Sequence, residues 1–125
     1  MMKQVLSIQS SVAAGFVGNT VAGPVLTALG QHPMLVDTVM LAAHPGYGKR
    51  AGGAVPDDIL AAVLDGILSL TDTSGINIVT SGYLGSAAQV ADIAAFVDGW
   101  RDDTGGTYIL DPVLGDGGRL YVAQE

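Results

Sequence analysis

The chain has 125 residues, 49% of them apolar and only 14% charged, a composition typical of one domain with a substantial buried core. Its formal net charge of −7 argues against a nucleic-acid or anionic-membrane surface, because either partner requires clustered positive charge. The sequence contains no cysteine, which excludes disulfides and thiolate metal sites.

Short apolar runs typical of strands alternate along the chain with longer runs of helical periodicity. The predicted strands are Val5–Ile8, Met34–Leu41, Ile76–Thr80, Thr107–Leu110 and a short one at Leu120–Val122. The predicted helices run from Asn19 to Leu29, from Pro56 to Leu68 and from Ser86 to Trp100. Two segments with several glycines, 10–18 and 42–55, are predicted to be loops.

Local signals support the three helices. Pro56 suits a first helical position, and Asp57 and Asp58 complement the positive end of the helix dipole. Ser86 and Gln89 have the spacing of a capping box. Apolar stripes predict the buried faces of the first two helices. The stripes are Val21, Val25, Leu26 and Leu29 in the first helix, and Ile59, Leu60, Val63, Leu64, Ile67 and Leu68 in the second.

The regular alternation of strand and helix predicts an α/β fold with a mostly parallel sheet covered on both faces. In such sheets, ligands bind beyond the carboxyl ends of the strands. Four segments are therefore expected to meet around a ligand: Ser7–Gly18, Leu41–Gly48, Ser81–Ser86 and Asp111–Gly118.

Three of these segments offer groups that suit a small polar or aromatic ligand. Ser10 suits a hydrogen bond to a ligand, although serine is equally at home in an ordinary strand-to-helix turn. His44 suits contact with a ring substituent or a phosphate, or a purely structural hydrogen bond. Tyr83 is suited either to stacking on a flat heteroaromatic ring or to packing on the sheet edge. His32 is expected to be solvated in a turn.

The fourth segment places two carboxylates, Asp111 and Asp116, beyond the fourth strand. Hard carboxylate oxygens suit a Mg²⁺–nucleotide complex, although aspartates also form ordinary turns. The sequence has neither the dinucleotide-binding glycine pattern nor a P-loop, so a nicotinamide-dependent enzyme is not expected.

The motifs VLSIQS at 5–10, SGYLGS at 81–86 and DPVLGD at 111–116 resemble those of pyridoxal kinases in order and spacing. Gly18-Asn19 and the LYV run at 120–122 fit the same pattern, and the resemblance covers essentially the whole chain. The aspartate-proline-valine block alone is shared with hydroxymethylpyrimidine kinases, which makes it the less specific part of the match.

The resemblance implies that residues 1–125 are the N-terminal part of one kinase domain with a ribokinase-like, three-layer αβα fold. It implies transfer of the ATP γ-phosphate to the 5′-hydroxymethyl group of pyridoxal, with pyridoxine and pyridoxamine as further substrates. Ser10, His44 and Tyr83 are expected to contact the substrate, and Asp111 and Asp116 to lie near ATP, with Asp116 reaching the metal through Mg-ATP. K⁺ is a further candidate cofactor, and full-length relatives are expected to be homodimers. Independently of the resemblance, the apolar run at the start of the sequence is too short for a signal peptide and no stretch approaches a membrane span, so a cytoplasmic location is expected.

Two departures from the family pattern stand out. The family commonly has threonine after the histidine, whereas this chain has Pro45-Gly46, which leaves vitamer preference open. The family's Gly-x-Gly-Asp turn, whose aspartate is the catalytic base, does not occur in these 125 residues. No catalytic residue is therefore assigned, and the isolated chain is expected to have little or no kinase activity. The alternatives are a hydroxymethylpyrimidine kinase and a non-catalytic binding or interaction module.

Overall fold

The computed structural model describes residues 4–44, 48, 50–69 and 75–120. Ten elements follow one another in this part of the chain. The strands are β1 (Gln4–Ala14), β2 (His32–Ala43), β3 (Gly52–Ala54), β4 (Ile76–Ser81), β5 (Thr107–Leu110), β6 (Gly115–Asp116) and β7 (Arg119–Leu120). The helices are α1 (Asn19–Ala28), α2 (Asp57–Leu68) and α3 (Ala87–Thr104).

Five strands form one sheet in the order β3-β2-β1-β4-β5. The pairs β1–β2, β1–β4 and β4–β5 are parallel, whereas β3 runs antiparallel to β2 at one edge. Strands β6 and β7 pair separately as a small antiparallel hairpin. The parallel centre places the carboxyl ends of β1, β2, β4 and β5 on the same side of the molecule.

Helices cover both faces of the sheet. Leu6 and Ile8 of β1 point to one face, where they join the main core with residues of α2 and α3. Ser7 lies between them and points to the other face, where its hydroxyl donates to Asn19 of α1 at 2.8 Å. The result is the expected three-layer αβα arrangement.

The main core lies between the sheet and the helix pair α2–α3. Trp100 is its largest fully buried side chain, at 1% exposure. The helices contribute three residues from α2 and four from α3: Leu60, Leu64, Ile67, Ile93, Phe96, Val97 and Trp100. Ser86 caps α3 by accepting from the Gln89 N–H at 3.1 Å, as the capping-box spacing predicts. The Gln89 side chain, however, accepts from the Gly85 N–H at 2.7 Å.

Three expectations are corrected. Strand β1 continues through Ser10 to Ala14, because this stretch pairs with β2, so the predicted loop begins only at Gly15. The predicted loop 42–55 contains strand β3. In α1 the buried residues are Asn19 and Gly23, whereas Val25 and Leu29 of the predicted apolar face are exposed.

Two smaller differences concern chain segments at element ends. Helix α2 begins at Asp57, so Pro56 is its N-cap residue and not, as predicted, its first helical residue. Leu120 pairs with Gly115 in the β6–β7 hairpin and does not extend the main sheet. Pro45, Gly46 and the last predicted strand residues after Leu120 lie outside the described residues. Among the described helices, none has the length and apolar character needed to cross a membrane.

Candidate functional site

A cleft of about 830 Å³ opens at the carboxyl ends of the parallel strands. The second half of β1, the end of β2 and the segments that follow β4 and β5 all contribute to its walls. Strand β4 pairs with β1 only as far as Ile8, so from Gln9 onward β1 borders the cleft on that side, while its other side pairs with β2.

All five residues singled out in the sequence line this one cleft: Ser10, His44, Tyr83, Asp111 and Asp116. They come from four segments that are far apart in the chain, and the parallel topology brings them together. The role of each residue remains a prediction.

Ser10 lies where the pairing of β1 with β2 is irregular. Gln9 pairs with Asp37 but Ser11 pairs with Met40, so β2 contributes one extra residue opposite Ser10. Gly18 packs directly against this point, since a Cβ atom on Gly18 would lie 2.0 Å from the Ser10 carbonyl oxygen. Gly18 also has φ 56° and ψ −140°, a conformation essentially reserved for glycine. Backbone-to-backbone packing therefore fixes the cleft wall at Ser10.

A buried polar network beneath Ser10 ties α1 to both central strands. The Asn19 side-chain amide lies within hydrogen-bond distance of the Gln9 and Val36 carbonyls, at 3.3 and 3.1 Å, and of Asp37 Oδ1 at 2.8 Å. Asp37 also accepts from the Ser11 hydroxyl at 2.9 Å. The cap residue of α1 is Gly18, which makes no side-chain capping bond, so Asn19 uses its amide in this network.

The loop after β4 carries Tyr83. The Gly82 N–H donates to the Ile8 carbonyl at 2.9 Å, which continues the β4–β1 contact past the end of the strand. The half-buried Tyr83 packs against a small apolar cluster formed by Val12, Val39 and Leu41. This cluster belongs to the two central strands, so Tyr83 does not simply rest on the sheet edge. It combines packing with a position in the cleft wall.

The walls of the cleft are largely apolar, with polar groups at particular points. The apolar lining residues, besides Tyr83, are Val12, Val17, Val21, Ala22, Val39, Leu41, Val113 and Leu120. A mostly apolar concavity with a few convergent polar groups is the usual form of a small-molecule site. The flat surface of an aromatic heterocycle suits such walls.

The carboxylates Asp111 and Asp116 are both exposed and lie at one side of the cleft. Asp111 is oriented by its own backbone, whose N–H donates to the Ser81 carbonyl at 2.9 Å. No group of three or more potential metal-ligating side chains occurs within the described residues. Two carboxylates nevertheless fit Mg²⁺, because this ion commonly binds through one or two carboxylates together with substrate phosphates and water.

Sequence reasoning missed Arg50, which lines the cleft together with His44. The arginine lies just before β3, in a segment that reads as an unstructured glycine-rich loop. Only the antiparallel pairing of β3 with β2 brings this segment back towards the cleft. Two cationic residues in a glycine-rich loop give no signal of this in the sequence.

Comparisons with known proteins agree with one another. The chain is 36% identical to the pyridoxal kinase of Actinobacillus pleuropneumoniae over 122 residues, which is 95% of this chain and 43% of that protein. The crystal structure of pyridoxal kinase from Entamoeba histolytica matches with a TM-score of 0.94 and 30% identity, covering 100% of this chain and 45% of that one. Pyridoxal kinase from Leishmania donovani in complex with ADP and pyridoxamine matches with a TM-score of 0.90 and 33% identity, covering 98% and 43%.

No protein-family profile matches the chain. The chain spans less than half the length of the relatives it matches, 43% in the case of the Actinobacillus protein. Within that span, sequence and fold agree, and the chain is a relative of the pyridoxal kinases.

Proposed function

We propose that this chain forms the vitamin B6 side of a kinase site and takes part in ATP-dependent phosphorylation of the 5′-hydroxymethyl group of pyridoxal. The observation that carries the proposal is the convergence of Ser10, His44, Tyr83, Asp111 and Asp116 on one cleft. The similarity to pyridoxal kinases supports the same chemistry, since the Leishmania relative is known in complex with ADP and pyridoxamine.

In this proposal the ring lies against the apolar wall formed by Val12, Val39 and Leu41, with Tyr83 packed on the ring. Ser10 hydrogen-bonds the polar ring substituents, and His44 borders the same ligand. These groups orient the hydroxymethyl arm for reaction. Phosphoryl transfer depends chiefly on such positioning and on electrostatic stabilisation.

The nucleotide side of the site is proposed to lie at Asp111 and Asp116. The two carboxylates would hold Mg²⁺ together with the ATP phosphates, and the ion neutralises charge on the transferred group when bound. Arg50 contributes a guanidinium to the same cleft, where it suits contact with a phosphate oxygen. A requirement for K⁺, a cytoplasmic location and a homodimeric whole protein belong to the same proposal.

Calorimetric titration of the purified 125-residue chain with pyridoxal, pyridoxine, pyridoxamine and hydroxymethylpyrimidine tests the ligand class. We expect the B6 vitamers to bind and the Ser10→Ala and Tyr83→Ala variants to bind them about tenfold more weakly, as expected for the loss of about 1.4 kcal/mol. Tighter binding of the pyrimidine would support the hydroxymethylpyrimidine kinase alternative. If none of the four compounds binds, the proposal is contradicted.

A coupled assay of ATP-dependent pyridoxal phosphorylation, on protein of verified mass, tests the catalytic part. We expect little or no turnover from these 125 residues alone, because they contain no Gly-x-Gly-Asp turn to supply the base and anion hole. Binding without turnover would also fit a non-catalytic binding module. Turnover by a longer polypeptide that includes such a turn would favour a kinase site over a non-catalytic binding module. Turnover by the 125-residue chain itself would show that the expectation of a missing catalytic base and anion hole is wrong.

A further inference from the structure

Two buried polar side chains hold the backbone of the loop that carries Tyr83. Thr38 of β2 and Gln89 of α3 are both fully buried, at 0% exposure. The Thr38 hydroxyl donates to the Tyr83 carbonyl at 2.6 Å. The Gln89 side-chain carbonyl accepts from the Gly85 N–H at 2.7 Å. Two backbone groups of one short loop are thus fixed by side chains from two other elements.

The surroundings of Gln89 define which way its amide points. The amide nitrogen donates to the carbonyls of Thr38 and Val55, each at 3.0 Å, while the oxygen faces the Gly85 N–H. A rotated amide would place its oxygen against two carbonyls and its nitrogen against an N–H donor. The side chain therefore has one satisfied orientation, in which both N–H donors and the carbonyl oxygen have partners.

The same network reaches the strand pairing beneath the cleft. The Thr38 carbonyl, besides accepting from Gln89, accepts from the Val55 N–H at 2.8 Å. Thr38 itself lies in the irregular stretch of β2 opposite Ser10. Its neighbour Val39 belongs to the apolar cluster on which Tyr83 packs. Thr38 thus connects the irregular β1–β2 pairing with the backbone of the loop that carries Tyr83.

We propose that Thr38 and Gln89 are positioning residues that set the placement of Tyr83 against the ligand ring. This inference rests on the proposed B6 site. Neither side chain lines the cleft, so their effect on a ligand runs through the loop. Sequence reasoning assigned Gln89 only to a helix cap and did not single out Thr38.

The central experiment is a double-mutant cycle read out as the dissociation constant for pyridoxal. Thr38→Val removes the hydroxyl donor at nearly constant shape, and we expect pyridoxal to bind about tenfold more weakly, which corresponds to about 1.4 kcal/mol. In a Tyr83→Ala background the same substitution should change the constant less than about twofold, because the aromatic ring that Thr38 is proposed to position is absent. In a Ser10→Ala background it should still cost about tenfold. An equal effect in all three backgrounds would overturn the inference.

Two further variants separate positioning from a general loss of stability. Thr38→Ser keeps the hydroxyl and should restore wild-type affinity. Thr104→Val removes another hydroxyl-to-carbonyl bond, the 2.7 Å contact with Trp100 at the far end of α3, together with the 3.2 Å bond that the same hydroxyl accepts from the Gly106 N–H. It should lower the unfolding midpoint without changing pyridoxal affinity. If Thr104→Val weakens binding as much as Thr38→Val does, positioning is not the cause.

Amide hydrogen exchange keeps the inference testable if the wild-type chain does not bind pyridoxal, an outcome that would count against the proposed function alone. We expect Thr38→Val to speed exchange of the amides in 83–86 by about fivefold or more, whereas Thr104→Val should leave them unchanged. Equal exchange of this loop in both variants would overturn the role of Thr38 directly.

Discussion

Gly18 shows how one residue without a side chain shapes the cleft wall. It combines a backbone conformation that favours glycine with direct packing on the Ser10 carbonyl. Gly30 also has a positive φ of 78°, but a Cβ atom there would meet nothing within 4 Å. The two glycines therefore separate the cost of backbone strain from the cost of a steric clash.

We predict that Gly18→Ala lowers the free energy of unfolding by about 3 kcal/mol or more, since backbone strain and overpacking act together. Gly30→Ala should cost only about 1–2 kcal/mol from backbone strain. Urea unfolding followed by circular dichroism measures both. Equal losses in the two variants would show that the packing of Gly18 on Ser10 contributes nothing.

Asn19 supplies a second prediction at the level of single residues. At 2% exposure it accepts from Ser7 and bonds to the carbonyls of two strands. Asn19→Ala removes the acceptor of the Ser7 hydroxyl and the side-chain donor to the Gln9 and Val36 carbonyls, and we expect a loss of about 2–3 kcal/mol in unfolding free energy. Ser11→Ala removes one half-buried bond, to Asp37, and should cost about 1 kcal/mol or less. The same urea titrations compare them, and a cost for Asn19→Ala no larger than that for Ser11→Ala would contradict this prediction.

Among the elements, α2 was the clearest helix in the sequence, yet only half of its apolar stripe is buried. Leu60, Leu64 and Ile67 enter the core, whereas Ile59, Val63 and Leu68 remain at least 40% exposed. An apolar stripe of six residues at helical spacing predicts a helix reliably. It does not say which flank of the stripe meets the sheet, because that depends on how the helix is rotated by its neighbours.

Two adjacent residues of α2 test this assignment. Leu64→Ala removes a side chain that is 2% exposed, and we expect it to cost about 2–5 kcal/mol of unfolding free energy. Val63→Ala, at a position 43% exposed, should cost less than about 1 kcal/mol. Thermal and urea unfolding of the two variants gives the comparison. If Val63→Ala cost more than Leu64→Ala, the side of α2 that carries Val63 would be the one packed in the core, contrary to this assignment.

Helix α1 shows why some elements escape sequence reasoning. Its apolar residues predicted a buried face, but the face against the sheet carries Asn19 and Gly23. A Cβ atom on Gly23 would lie 2.9 Å from Leu35 of β2, so helix and sheet approach closely at this point. Periodicity of apolar residues cannot reveal a close approach that depends on a small residue and a buried amide.

At the scale of the whole molecule, the topology was predictable and much of the site followed from it. The alternation of strand and helix implied parallel strands, and their carboxyl ends indicated which four segments meet. The contacts of Thr38 with Tyr83 and Gln89 were not predictable, since the partners lie 45 and 51 residues apart and no local pattern encodes them. Arg50 was missed for a different reason, because it lies just before a short antiparallel edge strand that sequence reasoning did not predict.

The described sheet ends at β5, which pairs on one side with β4, and exposed apolar side chains lie on β5 and in the segment that follows it. Ile109 and Leu110 are 49% and 56% exposed, and Leu114 and Leu120 are each 53% exposed. An exposed strand edge next to apolar side chains favours association between chains. We therefore predict that the 125-residue chain self-associates, more strongly at high salt, where its net charge of −7 is screened.

Sedimentation velocity over a range of protein concentrations measures this association. Ile109→Lys places a charge on the exposed edge strand and should shift the chain towards the monomer. Ile59→Lys introduces the same charge at an equally exposed isoleucine, 51% exposed on α2, and should leave the association unchanged. If the two lysine variants behave alike, the edge strand is not the contact surface, and a wild-type chain that stays monomeric in high salt would contradict the prediction outright. A selective effect of Ile109→Lys would identify β5 as the surface through which the chains associate.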